Sequence, residues 1–181
     1  MYNRDPIVLN RDCEAVLVPR ADKVIIPKDT EVTIAQDLGG SYTVYISGNL
    51  ARIAGKDADA LGLRPVEIPQ VLEGASDGEV EKLAWEQMKT CFDPEIPINI
   101  VDLGLVYECS ISSLPDGQKQ ADIKMTLTAP GCGMGEVLVQ DVKEKVEAIQ
   151  NIEVANVELV FDPPWNYSMM SDAAKIQTGM Y

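Results

Sequence analysis

Apolar and polar positions along the chain follow two rhythms, and the first has a period of two. Glu14 to Val18, Lys23 to Ile26 and Glu31 to Gln36 are short runs rich in Val, Ile and Thr, each bounded by proline or charge. Such runs predict strands. Ser41-Tyr42-Thr43-Val44-Tyr45-Ile46-Ser47 alternates and meets Gly48-Asn49, a hairpin turn, before Leu50–Ile53. Closely spaced strands of this kind predict a small sheet or a partial barrel. Asp57-Ala58-Asp59-Ala60-Leu61-Gly62 predicts a helical turn ended by glycine. Its aspartates lack the other ligands and the spacing of a calcium loop.

From Pro65 to Gly78 prolines and glycines break any period, which marks a linker. The rhythm then changes. Val80, Leu83, Ala84, Met88 and Cys91 recur at helical spacing, predicting a helix to about Thr90 with Asp77 as N-cap. Asp93-Pro94-Glu95-Ile96-Pro97 cannot continue that helix, because its two prolines hold an extended path. Leu105, Tyr107, Cys109 and Ile111 alternate with polar neighbours, as do Ala121, Ile123, Met125 and Leu127 beyond the Leu114-Pro115-Asp116-Gly117 turn. This predicts two antiparallel strands. A helix from about Met134 to Gln150 carries Leu138, Val142, Val146 and Ile149 on one face, and Ala155–Phe161 forms a last strand.

The expected fold class is therefore α+β. A helix-strand-strand-helix-strand domain over residues 76–165, with a three-stranded sheet and its helices on one face, follows a β-rich segment at 1–75. A tail at 166–181 carries a short helical stretch around Asp172–Gln177 and is either mobile or docked.

Charge narrows the function. The net charge is −14, unevenly spread: residues 1–75 carry 8 basic and 11 acidic side chains, residues 76–166 carry 6 and 17. Such a surface repels phosphate backbones and anionic lipid, so no nucleic-acid or membrane partner is expected. It suits metal cations or a basic protein face, or it simply keeps the protein soluble. Without a long apolar run or a signal-peptide pattern, the chain is expected to be cytoplasmic.

The chain has four cysteines, Cys13, Cys91, Cys109 and Cys132, and no histidine. Zinc-finger frameworks, histidine metal sites and cysteine–histidine catalysis are thereby excluded. In a reducing compartment all four are expected to be free thiols, with Cys91 and Cys109 in the core. Cys132 stands apart, between a strand end and a helix start and framed by Gly131 and Gly133. Helix-start amides favour a thiolate, and a thiolate is a soft ligand for iron, copper(I) or zinc. A buried small residue at a helix entrance is the competing reading. Asp93, Glu95 and Asp102 offer hard oxygen ligands for a metal; alternatively, Asp93 caps a turn, Glu95 is solvated and Asp102 bonds loop amides. Trp165 is expected to anchor the domain rather than stack on nucleic acid. Gly39-Gly40 and Gly133-Met134-Gly135 match neither dinucleotide nor P-loop fingerprints.

The run Asp93-Pro94-Glu95-Ile96-Pro97-Ile98-Asn99-Ile100-Val101-Asp102-Leu103-Gly104-Leu105-Val106-Tyr107 resembles the domain shared by PaaD-like and SufT proteins. Thr126-Leu127-Thr128-Ala129-Pro130-Gly131-Cys132 matches the second signature of that domain, and Asp162-Pro163-Pro164-Trp165 its closing strand. The N-terminal stretches Leu38–Val44 and Ala51–Gly62 resemble the extension of the long, SufT form. The resemblance implies a non-enzymatic role in iron–sulfur protein maturation, with Cys132 as functional residue and the acidic motif at Asp93, Glu95 and Asp102. It also implies iron–sulfur assembly proteins and client apoproteins as partners; a homodimer is a further option, raised by the single thiol. One departure is Gly133, where many such domains have proline.

One cysteine cannot fill the four protein positions of a [2Fe–2S] cluster. The first expectation is therefore a labile cluster or iron, shared by Cys132 with a second subunit, a partner or a small thiol. The second is an acidic adaptor that recruits clients without a cluster. The third, an enzyme with Cys132 as nucleophile, is weakened by the missing histidine.

Overall fold

The computed structural model describes residues 5–67, 69–131 and 133–180. The chain divides into two compact units, Met1–Glu67 and Ile68–Tyr181.

The N-terminal unit is an antiparallel sheet of six strands, β1 (Ile7–Val8), β2 (Cys13–Val18), β3 (Lys23–Ile26), β4 (Glu31–Leu38), β5 (Ser41–Ile46) and β6 (Asn49–Ile53), ordered β1-β4-β5-β6-β2-β3. The period-two pattern places Cys13, Ala15, Val32, Val44, Ala51 and Ile53 in its core, together with Leu9, Ala60 and Leu61. The expected helical turn is a 3₁₀ helix, Gly55–Leu61, ended by left-handed Gly62. Arg11 occupies its aspartates, donating to Asp59 at 2.6 and 2.8 Å and to Asp57 at 2.9 Å. These carboxylates hold a guanidinium in place, which accounts for them without calcium.

The C-terminal unit runs α1 (Asp77–Met88), β7 (Val106–Ser113), β8 (Lys119–Met125), α2 (Gly135–Glu147), β9 (Ile152–Leu159) and α3 (Asp172–Thr178). Ser76, not Asp77, is the N-cap of α1. Its hydroxyl accepts from the Glu79 amide while Glu79 accepts from the Ser76 amide. The S-x-x-E spacing of a capping box encodes this reciprocal pair. Strands β7 and β8 are antiparallel, as the short turn requires; β8 and β9 are parallel, as a crossover through α2 allows. Helix α1 packs on β7, α2 on β9, and the two helices on each other. Val80, Ala84 and Met88 of α1 meet Leu138, Val142 and Val146 of α2 over Cys109, Ala121, Ile123, Met125 and Ala155. The opposite face of the sheet is polar, with Lys124 bonded to Glu108 and Asp122 accepting from Gln120 and Asn156.

The C-terminal tail is docked. Met170 and Ala174 belong to the core, and the Ser171 amide donates to the Asp102 carbonyl at 2.8 Å. Trp165 donates from Nε1 to the Leu103 carbonyl at 2.7 Å and meets Tyr167 edge-on at 5.1 Å between ring centres. It is the expected anchor. The Tyr107 hydroxyl donates to the Pro163 carbonyl at 2.7 Å. Segment 160–165 leaves β9 at one edge of the sheet and reaches Leu103 and Tyr107 at the other. It therefore crosses the end of β8, where Thr126 is 1% exposed.

Gly104 makes the tail contact possible. It has φ +73°, and a Cβ there would collide with the Met169 carbonyl. Gly104→Ala combines left-handed strain with a backbone clash. It is expected to lower unfolding free energy by more than about 2 kcal/mol in urea titration. An unchanged midpoint would show that the tail is not held at this turn.

Candidate functional site

Two loops at one end of the C-terminal sheet carry the expected functional residues. The first, residues 92–105, follows α1 and enters β7. Pro94 and Pro97 bar a helix here, but the path is not the extended one expected: the run turns back on itself, with Phe92 bridging Asn99 and the Asp93 amide donating to the Ile98 carbonyl at 3.1 Å. Asp93 organises it from within. Only 4% exposed, its Oδ1 accepts from the Glu95 and Ile96 amides at 3.0 and 2.8 Å. Its Oδ2 accepts from the Thr128 hydroxyl at 3.3 Å. A carboxylate is acceptor-only, so one buried side chain serves three donors and ties this loop to the second one.

Asp102 lies farther along the loop. Its carboxylate accepts from Asn99 Nδ2 at 2.6 Å, and the Asn99 Oδ1 accepts the Asp102 amide at 2.9 Å. Glu95 is exposed. Among the described residues, no three Cys, Asp or Glu side chains are grouped so as to hold a metal ion. Asp93 and Asp102 shape the loop and lie in separate hydrogen-bond sets.

The second loop leaves β8 through Thr126, Leu127 and Thr128. Its start is fixed on both sides, since the Thr126 amide donates to Leu105 and the Val160 amide to Met125. Its end is fixed at Gly135, the first residue of α2, where a Cβ would strike Leu127. Between these anchors lie Gly131, Cys132 and Gly133. Cys132 lies outside the described residues, but its neighbours do not. Gly131 and Gly133 are both exposed, and nothing lies within 4 Å of the position a Cβ would take on either. Gly131 has φ +79°, a conformation that glycine reaches without strain.

The other cysteines are sealed. Cys13, Cys91 and Cys109 are free thiols with 1%, 0% and 8% exposure. Burial pushes Cys13 up to about 11, with Asp57 adding to the shift, and Cys109 up to about 12, with Glu81 and Asp122 adding to it. A thiolate is disfavoured where neither water nor a cation stabilises it. Sequence periodicity identified the two core thiols, but the role of Thr128 as partner to Asp93 joins residues 35 apart and had no local signal.

The residues that form both loops match a known domain. The model of the iron–sulfur cluster assembly protein family covers residues 84–159, and this chain belongs to that family. It is 39% identical over 101 residues to an Fe-S protein maturation auxiliary factor of Porphyromonas gingivalis, a match spanning 56% of this chain and 92% of the relative. It is 41% identical over 88 residues to the Fe-S protein maturation auxiliary factor SufT of Staphylococcus aureus, spanning 49% and 96%. Among solved structures, a domain of unknown function from Bacillus anthracis shares 33% identity over 58% of this chain and 96% of that one, with a TM-score of 0.49.

The geometry separates two variants at Asp93. Asp93→Ala strands two loop amides and the Thr128 hydroxyl, and should cost about 2–4 kcal/mol of stability. Asp93→Asn retains an acceptor oxygen and should cost less than half as much. Equal costs, measured by chemical denaturation, would contradict the fastening role.

Proposed function

We propose that this protein is an accessory factor in the maturation of iron–sulfur proteins, with Cys132 as a transient ligand for iron or a labile cluster. The cargo is substrate, received and released. Relatives named as maturation auxiliary factors over this same domain support the reading. The observation that carries it is the contrast among thiols: three lie in packed cores, while the fourth lies between two exposed glycines with open space around them.

The chemistry follows from the chain's own groups. A thiolate is a soft donor suited to iron, and a single protein thiolate leaves the other iron positions to a second donor molecule or a small thiol. Incomplete protein ligation favours release. The Asp93–Thr128 bond ties the thiol-bearing loop to the loop after α1, and glycine on both sides leaves space for a cluster or a client ligand to approach. No enzymatic step is assigned, because nothing on the chain supplies a histidine base.

The charge favours a second reading, an adaptor that recruits basic surfaces of clients without holding a cluster. The two readings diverge at one substitution. Anaerobic reconstitution with iron and sulfide should give absorbance in the 400 nm region and bound iron in the wild type. Cys132→Ala should lose at least about nine-tenths of the bound iron, whereas Cys91→Ala should retain it. Undiminished iron in Cys132→Ala would eliminate the ligand role. Client capture that is salt-sensitive and survives Cys132→Ala would then leave the adaptor.

A further inference from the structure

The edges of the two sheets are defended unequally. In the N-terminal unit, β1 has only two residues, and β3 has four and is stopped by Pro27. In the C-terminal unit, the β9 edge is plugged. The α2 residue Glu147 accepts the Ala155 amide at 3.0 Å, and Glu153 and Glu158 add charge along the strand. Short length, proline and charge are the usual means of blocking strand addition. On the opposite edge, β7 has eight residues, no proline, no lysine and one charge, Glu108, which Lys124 already partners.

The ladder identifies the outward groups on β7. The Leu114 amide donates inward to Gln118 at 2.7 Å, while the Lys119 amide turns away, to Asn151. Antiparallel pairs alternate between bonded and non-bonded. Ser112 and Ser110 therefore bond to β8, and Cys109, Ile111 and Ser113 direct their amides and carbonyls outward. None of these three amides has an acceptor among the described residues. Cys109 is buried and Ile111 half-buried beside the core, while the alternating Ser110 and Ser112 are exposed, so the edge is apolar on its helix side and polar on the other.

We propose that the free edge of β7 is a docking site for an extended, basic segment of a partner protein, which adds to the sheet as a fourth strand. Main-chain pairing would supply affinity, and alternate side chains would meet the two faces of the edge. Charge selects the occupant. Residues 76–166 carry 17 acidic and 6 basic side chains, so a second copy of this chain is repelled and a lysine- or arginine-bearing strand is attracted. The site does not depend on Cys132 and stands or falls separately from iron binding.

The test uses the full chain and a fluorescein-labelled peptide of alternating lysine and valine, read by anisotropy. Ser113→Pro removes one outward donor and no inward one, a position at which an edge strand tolerates proline. Binding to the wild type should weaken several-fold from low to physiological salt. Ser113→Pro should weaken it roughly tenfold, the effect of one lost main-chain bond plus displaced backbone. Hydrogen exchange on the wild type gives a second readout that does not require the variant: the peptide should protect the Ile111 and Ser113 amides. Absence of binding, equal binding by a folded Ser113→Pro variant, or protection confined to other segments would each overturn the proposal. So would sedimentation showing that the free protein already pairs with itself through this edge.

Discussion

The C-terminal unit depends on one buried carboxylate. Asp93 sits where α1 has ended and β7 has not yet begun, in a stretch whose prolines leave amides without helical or sheet partners. Two of those amides and one hydroxyl from the opposite loop converge on it. A buried ionisable group persists when its lone pairs are used, and here they are used to join two loops that the sheet alone would leave apart. The family signature at this stretch is in this light a structural device first. It holds the frame against which the thiol-bearing loop is set.

Much of this architecture was legible in the sequence because it rests on local periodicity. Lys23–Ile26 lies where alternation and flanking turn residues place it, and Cys91 and Cys109 are buried as their spacing demands. The first helix begins one residue earlier than an aspartate-centred reading expects, since Ser76 and Glu79 form a reciprocal cap that outcompetes Asp77. What local pattern could not supply was contact over distance. Nothing in Asp102 announces that its carbonyl accepts the Ser171 amide, or in Gly104 that it faces Met169. Local pattern therefore leaves the tail between mobile and docked, and packing of Met170 and Ala174 decides for docked. Asp93 and Asp102 each hydrogen-bond within their own loop, contacts between near neighbours in sequence. Gly131 and Gly133 have nothing within 4 Å of where a Cβ would stand.

The division of labour between the cysteines follows from solvation. Burial in hydrocarbon raises the cost of ionising Cys13 and Cys109, and Cys91 is as fully sealed in the core. The remaining one belongs to a loop fixed at both ends and glycine-flanked in the middle. Residues 76–166 carry most of the negative charge, and among the described residues no three acidic or thiol side chains form a metal cage. The N-terminal sheet, with its own core and its Arg11 clamp, is a second folded unit outside the span of the family model.

The proposed role requires Cys132 to be reachable from solvent while Cys13, Cys91 and Cys109 are walled off, and this is open to direct measurement. Brief iodoacetamide labelling of the folded, reduced protein, followed by peptide mass mapping, gives the rate at each cysteine. The account predicts rapid modification of Cys132 and, at Cys13, Cys91 and Cys109, modification only on the timescale of unfolding. Comparable rates at all four positions, or protection of Cys132 alongside the others, would contradict it.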